Sequence, residues 1–244
     1  SARTEARILI DCAKGDGARL DQLIMRRLRH EPIAYITGHK EFWSLDFEVG
    51  PGVLIPRPET ETLVEEALKE FPDRDATLSV LDLGTGSGAI LIAFLSERLQ
   101  ARGLGIEQSQ EAMIWARKNT ARHRMERRLT LQGDDWLVLD EGVFEVIFSN
   151  PPYIQSGTVA ALDSDVKDYE PRAALDGGAD GLAAYRALAP LIAQRLASGG
   201  KAFLEIGQEQ EQQVPQILAA AGLETIRVAP DLAGIPRCVI AARA

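Results

Sequence analysis

From residue 78 onward the chain alternates short apolar runs with helical ones, and that alternation limits the fold more than any other feature. Strands are expected over residues 78–83, 103–107, 129–132, 144–149 and 201–206, with helices over 89–99, 109–122, 181–197 and 209–221. Strands that alternate with helices build a mostly parallel sheet covered on both faces. The last two runs, 224–229 and 237–242, lie too close together for a crossover helix, so they predict an antiparallel hairpin at the sheet edge. The expected fold is therefore α/β: a seven-stranded, doubly wound sheet, mostly parallel, with an antiparallel last strand. Upstream, Ile8, Leu9 and Cys12, then Leu20, Leu23, Ile24 and Leu28, recur at helical spacing, which predicts two short helices. Residues 42–55 read as a β-hairpin with a turn at Pro51-Gly52. The domains expected are a small helical one at 1–40, a hairpin linker at 41–56 and a large α/β domain at 57–244.

Composition removes several classes of function. The 27 Lys and Arg against 36 Asp and Glu leave a net charge of −9, which weighs against a dedicated DNA binder. No apolar run approaches the roughly 20 residues of a membrane span, and residues 1–14 lack the pattern of a signal peptide. A cytoplasmic protein is expected, with no membrane partner and no stable nucleic-acid partner. Cys12 and Cys238 read as free thiols, and His30, His39 and His123 show no metal-ligand spacing, so no metal is expected.

Two loops carry the chemistry. The first strand runs into Gly84-Thr85-Gly86-Ser87-Gly88 and then a helix. Glycines let a ligand approach the backbone, and the helix start adds free N–H groups, although such a turn also serves purely structural ends. The spacing differs from the G-x-G-x-x-G of dinucleotide enzymes and from the P-loop. Glu107 closes the next strand, where a carboxylate can accept both hydroxyls of an adenosine ribose, and Asp82 would sit near an amino group. S-adenosylmethionine fits this set better than NAD. Asp135 and Trp136 either hold the adenine amino group and ring or are a surface acid beside a core indole.

The second loop is Asn150-Pro151-Pro152-Tyr153, at the end of strand 144–149. Its prolines remove two donors and stiffen the backbone, so the Asn150 side-chain oxygen and the Pro151 carbonyl can accept both hydrogens of a planar NH₂ group. Tyr153 supplies an aromatic wall, although a bare tetrapeptide of this kind is also a rigid turn.

Asp82-Leu83-Gly84-Thr85-Gly86-Ser87-Gly88 together with Asn150-Pro151-Pro152-Tyr153 resembles class I S-adenosylmethionine-dependent methyltransferases acting on exocyclic or amide nitrogen. Glu31-Pro32-Ile33-Ala34-Tyr35-Ile36-Thr37-Gly38, Glu41-Phe42-Trp43, the run from Leu54 to Glu61 and Asp168-Tyr169-Glu170-Pro171 narrow the resemblance. They look like the HemK/PrmC family of protein-(glutamine-N5) methyltransferases, which modify the Gly-Gly-Gln loop of peptide-chain release factors and so modulate translation termination. The resemblance covers essentially the whole chain. It implies that Gly84, Thr85, Gly86, Ser87, Gly88, Glu107 and Trp136 hold S-adenosylmethionine, and that Asn150, Pro151, Pro152 and Tyr153 hold the glutamine. With the acids read above, Asp82, Asp135 and Asn150 complete the expected cofactor contacts, and Asn150, Pro151 and Tyr153 the expected catalytic set. The family commonly has Asp where this chain has Glu107, and it has about five N-terminal helices, so residues are expected to be missing near 14–17 and before Ser1. A monomer with a release-factor partner and S-adenosylhomocysteine as product completes the expectation.

The sulfonium methyl is already activated, so such an enzyme mainly aligns nitrogen, carbon and sulfur. No side-chain base with a perturbed pKa is legible near the second loop, and no catalytic His or Cys is expected. The rival reading is an N6-adenine nucleic-acid methyltransferase, which needs a similar pocket and a basic surface. Arg117, Lys118, Arg122, Arg124, Arg127 and Arg128 are the nearest candidate for that surface but read better as a solvated helix-and-loop face. A non-catalytic docking module and a dinucleotide oxidoreductase fit less well.

Overall fold

The structure is a computed structural model and describes residues 2–136, 139 and 141–244. Helices α1 (Ala2–Ala13) and α2 (Gly17–Leu28) start the described chain, and Asp16 caps α2 by accepting from the Arg19 N–H. Their apolar stripes meet a short α3 (Ile33–Thr37): Leu9, Ala13, Leu23 and Ile36 form one small buried cluster.

The hairpin lies earlier than its sequence suggests. Strands β1 (His39–Phe42) and β2 (Leu45–Glu48) pair antiparallel from His39↔Glu48 to Phe42↔Leu45. The turn is Trp43-Ser44, both left-handed with φ of 54° and 57°, the geometry that matches strand twist in two-residue hairpins. Pro51, Pro56 and Pro58 lack the donors a strand ladder needs, so residues 50–58 form a linker instead. Val53 and Ile55 pack in it against Tyr35, Val49 and Ala112.

A 3₁₀ turn at Pro58–Thr60 leads into α4 (Glu61–Glu70). Then come β3 (Ser79–Leu83), α5 (Ala89–Glu97), β4 (Arg102–Ile106), α6 (Gln110–Arg122), β5 (Leu129–Gln132) and β6 (Phe144–Ser149). A long connection holding α7 (Ser164–Lys167) reaches α8 (Ala183–Arg195), β7 (Leu196–Glu205), α9 (Gln213–Ala220), β8 (Leu223–Pro230) and β9 (Pro236–Arg243). The sheet order is β5-β4-β3-β6-β7-β9-β8. Six strands run in one direction, and β9 alone inserts antiparallel, between β7 and β8. This is the doubly wound sheet that the alternation implied and the class I methyltransferase fold that the resemblance implied.

Neighbouring residues on one strand point to opposite faces, and the core divides accordingly. Val80, Val146, Phe148 and Phe203 pack with α4 and α5, while Leu81, Ile147, Leu204 and Val239 pack with α8 and α9. Both faces are dry, which is why these strands read as continuous apolar runs. No helix among the described residues is long and apolar enough to cross a membrane.

Candidate functional site

Parallel register brings the two loops together. Leu83 pairs with Ile106 on one side and Ser149 on the other, so Gly84, Glu107 and Asn150 leave the sheet side by side at its carboxyl edge. The strand order reverses between β3 and β6, the place where open α/β sheets leave a crevice for ligands. A cavity of about 380 Å³ lies there. Gly86, Glu107, Trp136 and Asn150 line it from the sheet side; Phe42, Leu54 and Arg57 line it from the hairpin and linker.

The glycine turn folds tightly because the Gly84 and Thr85 N–H groups both donate to the Ile106 carbonyl, at 3.0 and 2.9 Å. Gly84 has φ of 78°, and a Cβ on it would stand 3.2 Å from the Trp136 ring, so a side chain there would be strained and pressed on the indole. Helix α5 starts directly after Gly88, which puts its unpaired N–H groups and positive dipole end at the loop.

Two buried acids underlie the turn. Asp82 Oδ2 accepts from the Thr85 hydroxyl at 2.6 Å, and Oδ1 has no hydrogen-bond partner. Burial pushes its pKa up to about 7; the Thr85 hydrogen bond opposes the rise and the charge of Glu107 adds to it. Glu107 Oε2 accepts from Gly86 N–H at 2.9 Å and Oε1 from Ser109 N–H at 2.8 Å. Burial raises its pKa, and those backbone donors counter the rise. A buried acid whose folded pKa is raised holds its proton in the native state after the unfolded chain has lost it. The stability it contributes is therefore fully present below about pH 4 and gone above about pH 7, on the Asp82 values. Relative to Asp82→Asn, the unchanged protein is expected to lose stability as pH rises through that window, so the difference in Tm between the two should shift against the unchanged protein from pH 4 to 7. A difference that stays constant or shifts the other way in thermal melts would contradict the assignment.

The second loop is held from below. Asn150 Nδ2 donates to the Thr60 hydroxyl at 3.3 Å, and Oδ1 is the amide's other branch. Pro151 is buried, while Pro152 and Tyr153 are half-buried. The Tyr153 carbonyl accepts from Gln210 Nε2 at 3.2 Å, and its ring hydroxyl donates to Glu205 Oε1 at 3.2 Å. Gly181 clamps the loop from the side: with φ of 75° it lies so close that a Cβ would stand 2.4 Å from the Tyr153 carbonyl oxygen. A second cavity of about 100 Å³ adjoins the first, sharing Leu54, Arg57, Asn150 and Ala174 with it and adding Tyr153 and Glu205.

The structure does not bring every expected residue to the cavity wall. Thr85, Ser87 and Trp136 reach it; Asp82, Gly88 and Pro151 lie behind it, and Asp135 is exposed off both walls. The two remote motifs, by contrast, converge. Glu170 accepts from the Ile55 N–H at 3.0 Å through Oε2 and pairs with Arg57 through Oε1, so the connection after the second loop is tied to the linker. The expectation that no perturbed base lies near the second loop fails, because burial pushes Glu205 up to about 7 beside Tyr153. Sequence reading missed Thr60 and Glu205. The available signal was a lone acid ending an otherwise apolar strand at the same edge as Asp82 and Asn150.

The basic run is partly consumed by the fold. Arg122 pairs with Asp46, Lys118 sits 4.2 Å over the Trp115 ring, and Arg128 donates to the Leu95, Arg98 and Ala101 carbonyls. Among the described residues no group of three or more His, Cys, Asp or Glu is placed to hold a metal ion.

A family model described as methyltransferase small domain matches residues 60–165. The chain is 46% identical over 224 residues to a release factor glutamine methyltransferase of Caulobacter vibrioides, covering 91% of this chain and 77% of that one. It is 41% identical over 260 residues to a protein of the same name from Bradyrhizobium diazoefficiens, at 98% and 88% coverage. Among solved structures, a methyltransferase from Pyrococcus furiosus matches with a TM-score of 0.59 at 21% identity, over 89% of this chain and 96% of that one. A T. thermophilus 16S rRNA methyltransferase in complex with AdoMet and guanosine matches at 0.57 and 22%, over 84% and 49%. Those two likenesses concern the fold.

Proposed function

This chain belongs to the release factor glutamine methyltransferase family, and from that premise we propose how its own residues hold cofactor and target. The protein is an enzyme that transfers a methyl group from S-adenosylmethionine to the side-chain amide nitrogen, N5, of a release-factor glutamine, in the Gly-Gly-Gln motif. The observation that carries the reading is the placement of Gly84, Glu107 and Asn150 along one sheet edge, under one cavity.

The residues fit the cofactor. Asp82 offers a buried oxygen with no donor, and an ammonium group is what such an atom lacks. Glu107 keeps lone pairs beyond the two backbone donors it accepts, enough for ribose hydroxyls. Trp136 lines the same cavity and offers a ring face to adenine. When bound, S-adenosylmethionine supplies a sulfonium methyl carbon, and transfer to the amide nitrogen breaks the carbon–sulfur bond, leaving S-adenosylhomocysteine and one released proton.

The rest of the work is orientation. An amide nitrogen is a weak nucleophile because its lone pair is delocalised into the carbonyl. Asn150 Oδ1 and the Pro151 carbonyl accept the two N–H bonds of the target and turn its nitrogen toward the methyl carbon. As positive charge develops on nitrogen, acceptors held on a proline-stiffened loop would need little reorganisation in the transition state. Tyr153 and Pro152 exclude water and support the flat carboxamide. The helical segment and hairpin are proposed to grip the release factor, with the enzyme acting as a monomer in the cytoplasm.

The test is peptide mapping by mass spectrometry of a release factor after incubation with enzyme and cofactor. One added methyl group on the Gly-Gly-Gln glutamine is expected. Methylation of DNA adenine with no change in the release factor would overturn the proposal.

A further inference from the structure

With Asn150 Oδ1 and the Pro151 carbonyl accepting from the target's NH₂, the carbonyl oxygen of the same amide still needs a donor. A carbonyl drawn into a cavity without one loses its water and gains nothing in return. Among the described residues that line the two adjoining cavities, Arg57 is the single cation, and it lines both, as Asn150 does.

The fold holds this guanidinium at one corner. Glu170, whose side chain is 1% exposed, pairs through Oε1 with Arg57 Nη2, while its Oε2 accepts from the Ile55 N–H at 3.0 Å. The other side-chain nitrogens of Arg57, Nε and Nη1, make no hydrogen bond to the described residues. A planar fork held at one tine presents the rest in a fixed direction. The backbone sets its distance from the second loop. The Arg57 carbonyl accepts from the Thr60 N–H at 3.1 Å, and the Thr60 hydroxyl accepts from Asn150 Nδ2 at 3.3 Å. One tight turn thus carries both the cation and the residue that holds Asn150.

We propose that Arg57 is a specificity-determining residue: its unused N–H groups donate to the carbonyl oxygen of the target carboxamide while Asn150 and Pro151 accept from the nitrogen. The inference rests on the reading of Asn150 Oδ1 and the Pro151 carbonyl as those acceptors. Together the three groups demand two N–H bonds beside a carbonyl oxygen, the pattern of a primary carboxamide. A glutamate carboxylate satisfies Arg57 but sets oxygen against both acceptors. A lysine ammonium satisfies the acceptors but sets positive charge against Arg57.

This contact serves binding rather than the chemical step. As nitrogen takes the methyl group its lone pair leaves the carbonyl, so the oxygen becomes a poorer acceptor. An interaction no stronger in the transition state than in the ground state lowers KM without raising kcat. Loss of Arg57 should therefore appear in substrate affinity, and loss of Asn150 in turnover.

A double-mutant cycle across the enzyme–substrate contact tests this. Arg57→Met, Arg57→Lys and Asn150→Ala are titrated by calorimetry, with S-adenosylhomocysteine present, against a release factor and against the same factor with methionine in place of the Gly-Gly-Gln glutamine. Methionine keeps the length of glutamine and has neither end of the amide. Arg57→Met is expected to weaken binding of the glutamine factor about 10–100-fold, the scale of a hydrogen bond from a charged donor, and binding of the methionine factor less than about threefold. With the glutamine factor kcat should change less than about threefold. Should Arg57→Met fold poorly in thermal melts, Arg57→Lys still decides: an ammonium can stay with Glu170 but has no fork to reach the target as well, so the same selective loss is expected. Equal losses for the two factors would make Arg57 only a tie between the linker and Glu170 and overturn the proposal, as would no loss for either. Asn150→Ala should also distinguish the two factors. If it does while neither Arg57 variant does, the Arg57 contact alone is overturned. If it does not, the reading of the Asn150 acceptor falls, and the pairing with Arg57 falls with it.

Discussion

Asn150→Ala is expected to cut turnover about 10²–10³-fold while the affinity for S-adenosylmethionine stays near that of the unchanged protein, the scale seen when one preorganised polar contact is deleted at a reacting centre. Asn150 lies on the cavity wall, and its Nδ2 is already committed to Thr60. Removing the side chain takes away one of two acceptors for the target NH₂ but leaves the glycine turn, Asp82 and Glu107 in place. The loop itself should persist, because the Tyr153 carbonyl stays bonded to Gln210 and Pro151 stays buried. Single-turnover rates with a release factor, read beside calorimetric cofactor binding, separate the two effects. A rate equal to that of the unchanged protein would remove Asn150 from the mechanism.

Glu107→Ala should do the reverse and act on cofactor binding. The carboxylate is the expected acceptor for ribose hydroxyls, and hydrogen bonds to a charged group contribute about 1.5–3 kcal/mol each. Losing a pair amounts to roughly 3 kcal/mol or about 100-fold in Kd. The glycine turn adds to the loss, because Glu107 also receives the Gly86 and Ser109 N–H groups and alanine strands both. Glu107→Gln keeps one acceptor oxygen and is expected to fall between the two. Equal affinities by calorimetry for Glu107→Ala and the unchanged protein would mean that the ribose contact is misassigned.

Much of this molecule was readable before any coordinates. Strands β3, β4, β5 and β6 lie within a residue of their expected bounds, since dry strands between helices leave an apolar signature that nothing else in the chain imitates. The glycine turn and the Asn-Pro-Pro-Tyr loop were legible because backbone geometry demands those residue types locally. The hairpin was misplaced because two left-handed residues, Trp43 and Ser44, form its turn without a glycine, while Pro51-Gly52 offers a stronger turn signal nearby. Asp135 and Trp136 are adjacent in sequence, yet only the indole reaches the cavity wall.

The chain's own letters determined which segments are strands, which loops can cradle a ligand and which side chains can accept from an NH₂ group. Those properties depend on periodicity, on φ and on donor count, all local. Register and burial belonged to the tertiary structure alone. Pairing of Leu83 with Ser149 sets the two loops side by side, and pairing of Ser149 with Leu204 sets an acid beside Asn150. Desolvation then raises Asp82 and Glu205 far above the usual carboxylate range. A carboxylate's pKa depends on how much water and which charges surround it, and those neighbours come from strands far apart along the chain.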